Sequence, residues 1–150
     1  KTASVHAQEQ GLEIDYRHTT AEALAQAGEQ FDVILNMEVI EHVADTQVFM
    51  KECAACLKPG GLMIVATLNR TARAFALAIV GAEYVLGWLP RGTHEWSKFI
   101  TPDEMHQMMV TSGLTPGELT GVSFNPLADK WSTSRDTAVN YMQTATKQSA

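Results

Sequence analysis

The sequence has 150 residues, of which 45% are hydrophobic and 19% charged, and carries a formal net charge of −6. That length suffices for one domain with its own core, and that balance excludes a disordered polymer. It offers no basic footprint for a phosphate backbone, so no nucleic acid is expected as a partner.

Lys1 to Gly11 has no starting Met and no apolar signal core, and reads as a helix already under way that stops at Gly11. Leu12 to Arg17 alternates apolar and polar residues, which predicts a strand with one buried face. Thr19-Thr20-Ala21-Glu22 offers a cap and an acidic first turn for a short helix ending near Gly28. Phe31-Asp32-Val33-Ile34-Leu35-Asn36 is a β-branched apolar run of the kind covered on both faces in a parallel sheet.

Asp45 is an N-cap for a helix in which Val48, Phe49, Cys53, Ala54, Cys56 and Leu57 recur at helical spacing, ended by Lys58-Pro59-Gly60-Gly61. Its cysteines, Cys53 and Cys56, lack the strand-to-helix setting of a redox pair and lack two further zinc ligands. They are read as two small buried side chains in a reducing compartment. Leu62 to Thr67 is a second buried strand, and strand, helix, strand with short connections is a right-handed crossover, so the fold class is α/β.

An apolar helix follows from about Thr71 to Trp88, then a polar loop, then a helix opened by Thr101-Pro102-Asp103-Glu104 and closed by Gly113. Leu119 to Phe124 and Thr137 to Thr144 are strand-like and can close the sheet as an antiparallel hairpin.

In an open α/β sheet, ligands bind beyond the carboxyl ends of the strands, which directs attention to Asn36-Met37-Glu38-Val39-Ile40-Glu41-His42-Val43. Two carboxylates and an imidazole beside an apolar core suit acid–base or metal chemistry. The alternative is two solvated loop glutamates and a histidine that caps or packs against the next helix.

Phe31-Asp32-Val33 through Glu41-His42-Val43, followed by Leu57-Lys58-Pro59-Gly60-Gly61, resembles class I S-adenosylmethionine-dependent methyltransferases, whose fold is Rossmann-like. Narrower blocks sharpen the likeness: Ala66-Thr67-Leu68-Asn69-Arg70, Val80-Gly81-Ala82-Glu83-Tyr84, Pro90-Arg91-Gly92-Thr93-His94, Phe99-Ile100, Phe124-Asn125-Pro126 and Val139-Asn140-Tyr141-Met142. Together they resemble the ubiquinone-biosynthesis O-methyltransferases, which methylate polyprenyl catechols.

The resemblance implies S-adenosylmethionine as cofactor, lying against a glycine-rich turn after a first strand, an acid closing a second strand, and the residue after the motif strand. Only the last falls within this sequence, at Met37; the other two are expected before Lys1. It also implies methyl transfer to a phenolic oxygen, which is mostly protonated at neutral pH and must lose its proton or be stabilised as a phenolate. His42 is the candidate base. Alternatively Glu38, Glu41 and His42 hold a divalent cation, Mg²⁺ by the chemistry of the ligands, which lowers the pKa of the hydroxyl. His94 is read as a structural loop residue, and His6, His18 and His106 form no cluster.

The stretch from Ala74 to Leu89 is interrupted by Glu83 and is too short to span a bilayer. Arg70, Arg73 and Arg91 flank it, and Tyr84, Trp88 and Trp96 favour a lipid–water interface, so residues 70–98 form either a membrane-facing surface or a lid. Since the family's substrates carry lipid-resident tails, the resemblance implies peripheral association with the inner face of a bacterial membrane, or the matrix side in mitochondria, and contact with other enzymes of the pathway. The competing readings are a methyltransferase for a small soluble acceptor and a non-catalytic membrane-binding fragment.

Overall fold

The computed structural model describes residues 2–77, 79–80, 87, 90, 95–125 and 128–149. Helix α1 (Thr2–Glu9) ends at Gly11, whose φ of 65° is the left-handed geometry that terminates helices. Helix α2 (Ala21–Gln26) starts where Thr20 accepts a hydrogen bond from the Ala23 amide.

Between them, Leu12 to Arg17 is not a strand, which corrects the expectation from its alternation. A strand exists only through the ladder it shares, and this segment pairs with none of the described strands. Its apolar positions Leu12, Ile14 and Tyr16 are all exposed.

Strand β1 (Phe31–Met37) runs parallel to β2 (Leu57–Leu68), with helix α3 (Thr46–Ala55) as the crossover. The Asp45 carboxylate accepts from the Val48 amide at 2.9 Å, so the expected cap forms. Cys53 lies in α3 and Cys56 caps its end; both are buried and free, and burial pushes the Cys53 thiol up to about 12, which makes it inert.

Lys58-Pro59-Gly60-Gly61 does not merely stop that helix. It belongs to β2, where Phe31 pairs with Leu57 but Val33 pairs with Leu62, and the extra residues are absorbed at Gly60 with φ 77°. Helix α4 (Ala72–Ala74) begins the apolar segment, and residues 75–77 and 79–80 continue it in wider π-type winding. Helix α5 (Pro102–Thr111) opens with a complete capping box between Thr101 and Glu104.

The two expected C-terminal strands form and pair antiparallel, and a further strand lies between them in sequence. Strand β3 (Leu114–Asn125) is joined to β4 (Lys130–Ser134), a polar strand that no apolar alternation announced, and β5 (Asn140–Lys147) inserts between β2 and β3. Among the described residues the sheet order is β1-β2-β5-β3-β4, with β1–β2 parallel and the other pairs antiparallel.

One face of the sheet carries Met63, Val65, Tyr141 and Ala145, packed under Met50 and Cys53 of α3 and Met105 and Met109 of α5. The other face of β1 is open: Val33, Leu35 and Met37 are 53%, 64% and 48% exposed, so this strand is not covered on both sides by described residues.

Candidate functional site

Because β1 and β2 are parallel, their carboxyl ends at Met37 and Leu68 lie at one end of the sheet. The ladder reaches one residue further, since the Glu38 amide donates to the Ala66 carbonyl at 2.9 Å. There the chain turns sharply. Glu38 has φ 54°, a left-handed conformation that side chains other than glycine adopt at a cost, and such strain gathers at functional sites.

A single 3₁₀ turn, Ile40–His42, follows, anchored by the completely buried Ile40. That anchor carries Glu41 inward. Its residue is 2% exposed, and its Oε2 accepts a hydrogen bond from Thr67 Oγ1 at 2.9 Å, while Oε1 has no hydrogen-bond partner. A buried carboxylate oxygen left unpaired costs free energy comparable to a lost hydrogen bond, so it marks a place where a ligand donor belongs.

Glu38 is solvent-facing as a residue, yet its carboxyl is pushed up to about 8, first by desolvation and then by the adjacent Glu41. The turn therefore brings together two of the three residues singled out in the sequence. His42 is exposed, and among the described residues no group of three or more His, Cys, Asp or Glu side chains converges as a metal site. Met37 lies on the open face of the strand end, half exposed. His94, with Tyr84, Trp88, Arg91 and Leu86, lies outside the described residues.

Glu41 also lines a cavity of about 720 Å³ between the 43–47 loop and α5, together with Arg70, Lys98, Phe99, Ile100 and Met108. Arg70 pairs with Glu104 and donates to the Phe99 carbonyl. Thr67 was missed from sequence: within a β-branched run a threonine reads as one more buried strand residue. The available signal was topological, because a right-handed crossover sets the end of β2 beside the end of β1.

The raised Glu38 carboxyl has a measurable consequence. Its folded-state pKa of about 8 exceeds the ordinary value of 4.5, so the folded chain holds the extra proton between these limits. The associated stability is complete below pH 4.5 and is lost as pH rises through 8. Solvent screening at this exposed residue reduces the loss to about 1–2 kcal/mol. Urea denaturation at pH 5 and pH 9 measures it, and Glu38→Gln should flatten the difference; an unchanged slope in that variant would assign it to another group.

A family profile described as a methyltransferase domain matches residues 4–119. A ubiquinone biosynthesis O-methyltransferase of Parvibaculum lavamentivorans is 73% identical over 145 residues, or 97% of this chain and 57% of that protein. A protein of the same name from Chelativorans is 58% identical over 150 residues, covering 100% of this chain and 59% of the relative. The chain thus spans less than two thirds of the length of these curated relatives.

Among solved structures, a SAM-dependent methyltransferase from Thermotoga maritima superposes with a TM-score of 0.64 at 20% identity, over 99% of this chain and 70% of the other. One from Methanosarcina mazei gives 0.65 at 14%, over 99% and 76%. At these identities the likeness is one of fold, and it agrees with the α/β class.

Proposed function

This chain belongs to the methyltransferase domain family, and we propose that it forms the acceptor-side part of an enzyme that moves a methyl group from S-adenosylmethionine to a phenolic hydroxyl of a polyprenyl catechol in ubiquinone biosynthesis. The names of the relatives support the substrate class. The observation that carries the chemistry is the unpaired, buried Oε1 of Glu41 at the end of the parallel strands.

Met37, half exposed at the strand end, is the residue read as lying against the cofactor, which when bound supplies the methyl group as a sulfonium. Thr67 donates its only hydroxyl proton to Glu41 Oε2 and so fixes the carboxylate with Oε1 open to accept the phenolic hydrogen. Glu38, beside it, has its carboxyl pushed up to about 8 by desolvation and by Glu41, so at neutral pH it mostly holds its proton. His42, exposed at the rim, is the candidate that passes the proton to solvent.

Two mutually repelling carboxylates and an unpaired oxygen also fit a hard divalent cation of the Mg²⁺ type, which binds through one or two carboxylates with substrate oxygens completing its shell. Glu38 and Glu41 would hold it, with His42 nearby in sequence, and it would lower the pKa of the hydroxyl as a Lewis acid.

No helix among the described residues is long and apolar enough to cross a membrane. A surface role is supported by Phe75, Leu77, Val80 and Trp96, which are exposed on and after the apolar segment, with Phe75 and Trp96 packed edge to face. Ile79 packs instead against the Leu68, Ala74 and Phe99 cluster, so it does not face outward. These exposed apolar residues support the reading of a peripheral association with the inner face of a membrane, in reach of other enzymes of the pathway.

Transfer of labelled methyl groups to a polyprenyl catechol embedded in liposomes, and to a soluble short-chain catechol, tests both parts. The embedded acceptor should be preferred, and Leu77→Lys should lower its turnover alone. Equal rates on both acceptors would point to a soluble substrate, and transfer to neither would end the proposal.

A further inference from the structure

We propose that the groove between the 43–47 loop and α5 is a length-limited binding site for the acceptor, taking its phenolic ring at Glu41 and only the first isoprene units of its tail; this rests on the function proposed above. Three features of the groove support it.

The first is the floor. Glu41 is 2% exposed, lines the groove, and has Oε1 without a fixed hydrogen-bond partner. The neighbouring Glu38 carboxyl is the one described protein group that interacts with it, so a ligand hydroxyl can gain a charge-assisted bond there. The second is the wall. Val43, Ala44, Phe99, Ile100 and Met108 give the groove apolar surface for a ring and a prenyl segment, set among polar side chains that include Asp45, Asp103 and Glu104.

The third is size. About 720 Å³ is within the range of roughly 300–1,000 Å³ typical of pockets for drug-sized ligands, room for a ring and a short prenyl segment but not for a long polyprenyl chain. The groove is also bridged across. Gln47 Nε2 donates to Ser112 Oγ at 3.0 Å, and Thr111 Oγ1 donates to Gln47 Oε1 at 3.0 Å, tying the start of α3 to the end of α5. A tail longer than the groove must leave it, and the exposed Phe75, Leu77 and Val80 offer apolar surface toward lipid.

The prediction is a plateau: affinity rises over the first few isoprene units and then stops rising. Gln107 allows a clean test, because it is exposed, lines the groove and lies off the α5 face that buries Met105 and Met109. Isothermal calorimetry on the full chain with S-adenosylhomocysteine present would compare a methyl-substituted catechol with geranyl, farnesyl and longer homologues. The expected result is about tenfold or more tighter binding of the farnesyl compound than of the methyl compound, with little further gain beyond it.

Gln107→Trp should fill the groove and erase that gain while keeping the methyl compound within about twofold; Gln107→Ala should preserve the gain. No gain with tail length, a gain that survives Gln107→Trp, a steady rise through the longest tail, or no binding of any catechol would each overturn the assignment. If methyl transfer to the embedded polyprenyl catechol persists alongside any of these, the function stands and only the groove is wrong; absent transfer is read in its own assay.

Discussion

Replacing Glu41 by glutamine should lower methyl transfer by about 10²-fold or more without loss of fold stability, and above pH 8 the variant should be the more stable of the two. Glutamine keeps the shape of the side chain, and its amide oxygen still accepts the Thr67 hydroxyl now bound to Oε2. What disappears is the charge. The phenolic hydrogen loses its strongest acceptor in the turn, and Glu38 loses the neighbour that helps to raise its carboxyl. One substitution thus moves activity and stability in opposite directions, the pattern expected where a strained and charged turn is retained for its chemistry. Single-turnover methyl transfer and urea denaturation at pH 9 measure the two effects. Full activity, or a stability loss above about 1 kcal/mol, would return Glu41 to the status of a structural carboxylate.

How far the sequence disclosed this turn depended on the range of the interaction. Thr20, Asp45 and Thr101 announce their helices because a cap bonds amides two or three residues away, and all three form as read. The Phe31 to Asn36 strand and its crossover are equally local, carried by β-branched composition and a short connection. Leu12 to Arg17 fails because alternation states only which side would be buried, whereas a strand also needs a neighbour to pair with. β4 was illegible for the opposite reason: Lys130–Ser134 is largely exposed and polar, so its hydrogen bonds to β3, not its side chains, make it a strand. In the site, the spacing of Glu38 and Glu41 already put both on one tight turn. The partnership of Glu41 with Thr67 spans 26 residues and became visible only when the two strand ends met.

The same non-local logic makes Gly121 the position where an added methyl group should do most damage, about 2–3 kcal/mol for Gly121→Ala. This glycine sits where β3 pairs with both Tyr141 of β5 and Ser134 of β4. A Cβ built there would lie 1.9 Å from the Asp136 carbonyl oxygen and 2.5 Å from its carbon, so backbone would have to move. That backbone is held from several sides. The Asp136 amide donates to Ser134 Oγ, its carboxylate pairs with Arg73 at 2.6 Å, and the next carbonyls, Thr137 and Ala138, accept from Asn69 and Thr71 at 2.8 and 2.5 Å. Shifting the loop therefore releases the anchors of residues 69–73, the segment that carries Arg70 into the groove wall and leads to the exposed Phe75, Leu77 and Val80. Urea denaturation of Gly121→Ala reads the cost directly. A change below about 0.5 kcal/mol would mean that the loop yields freely, and that the tie between the last strands and the wall of the acceptor groove is looser than these four contacts imply.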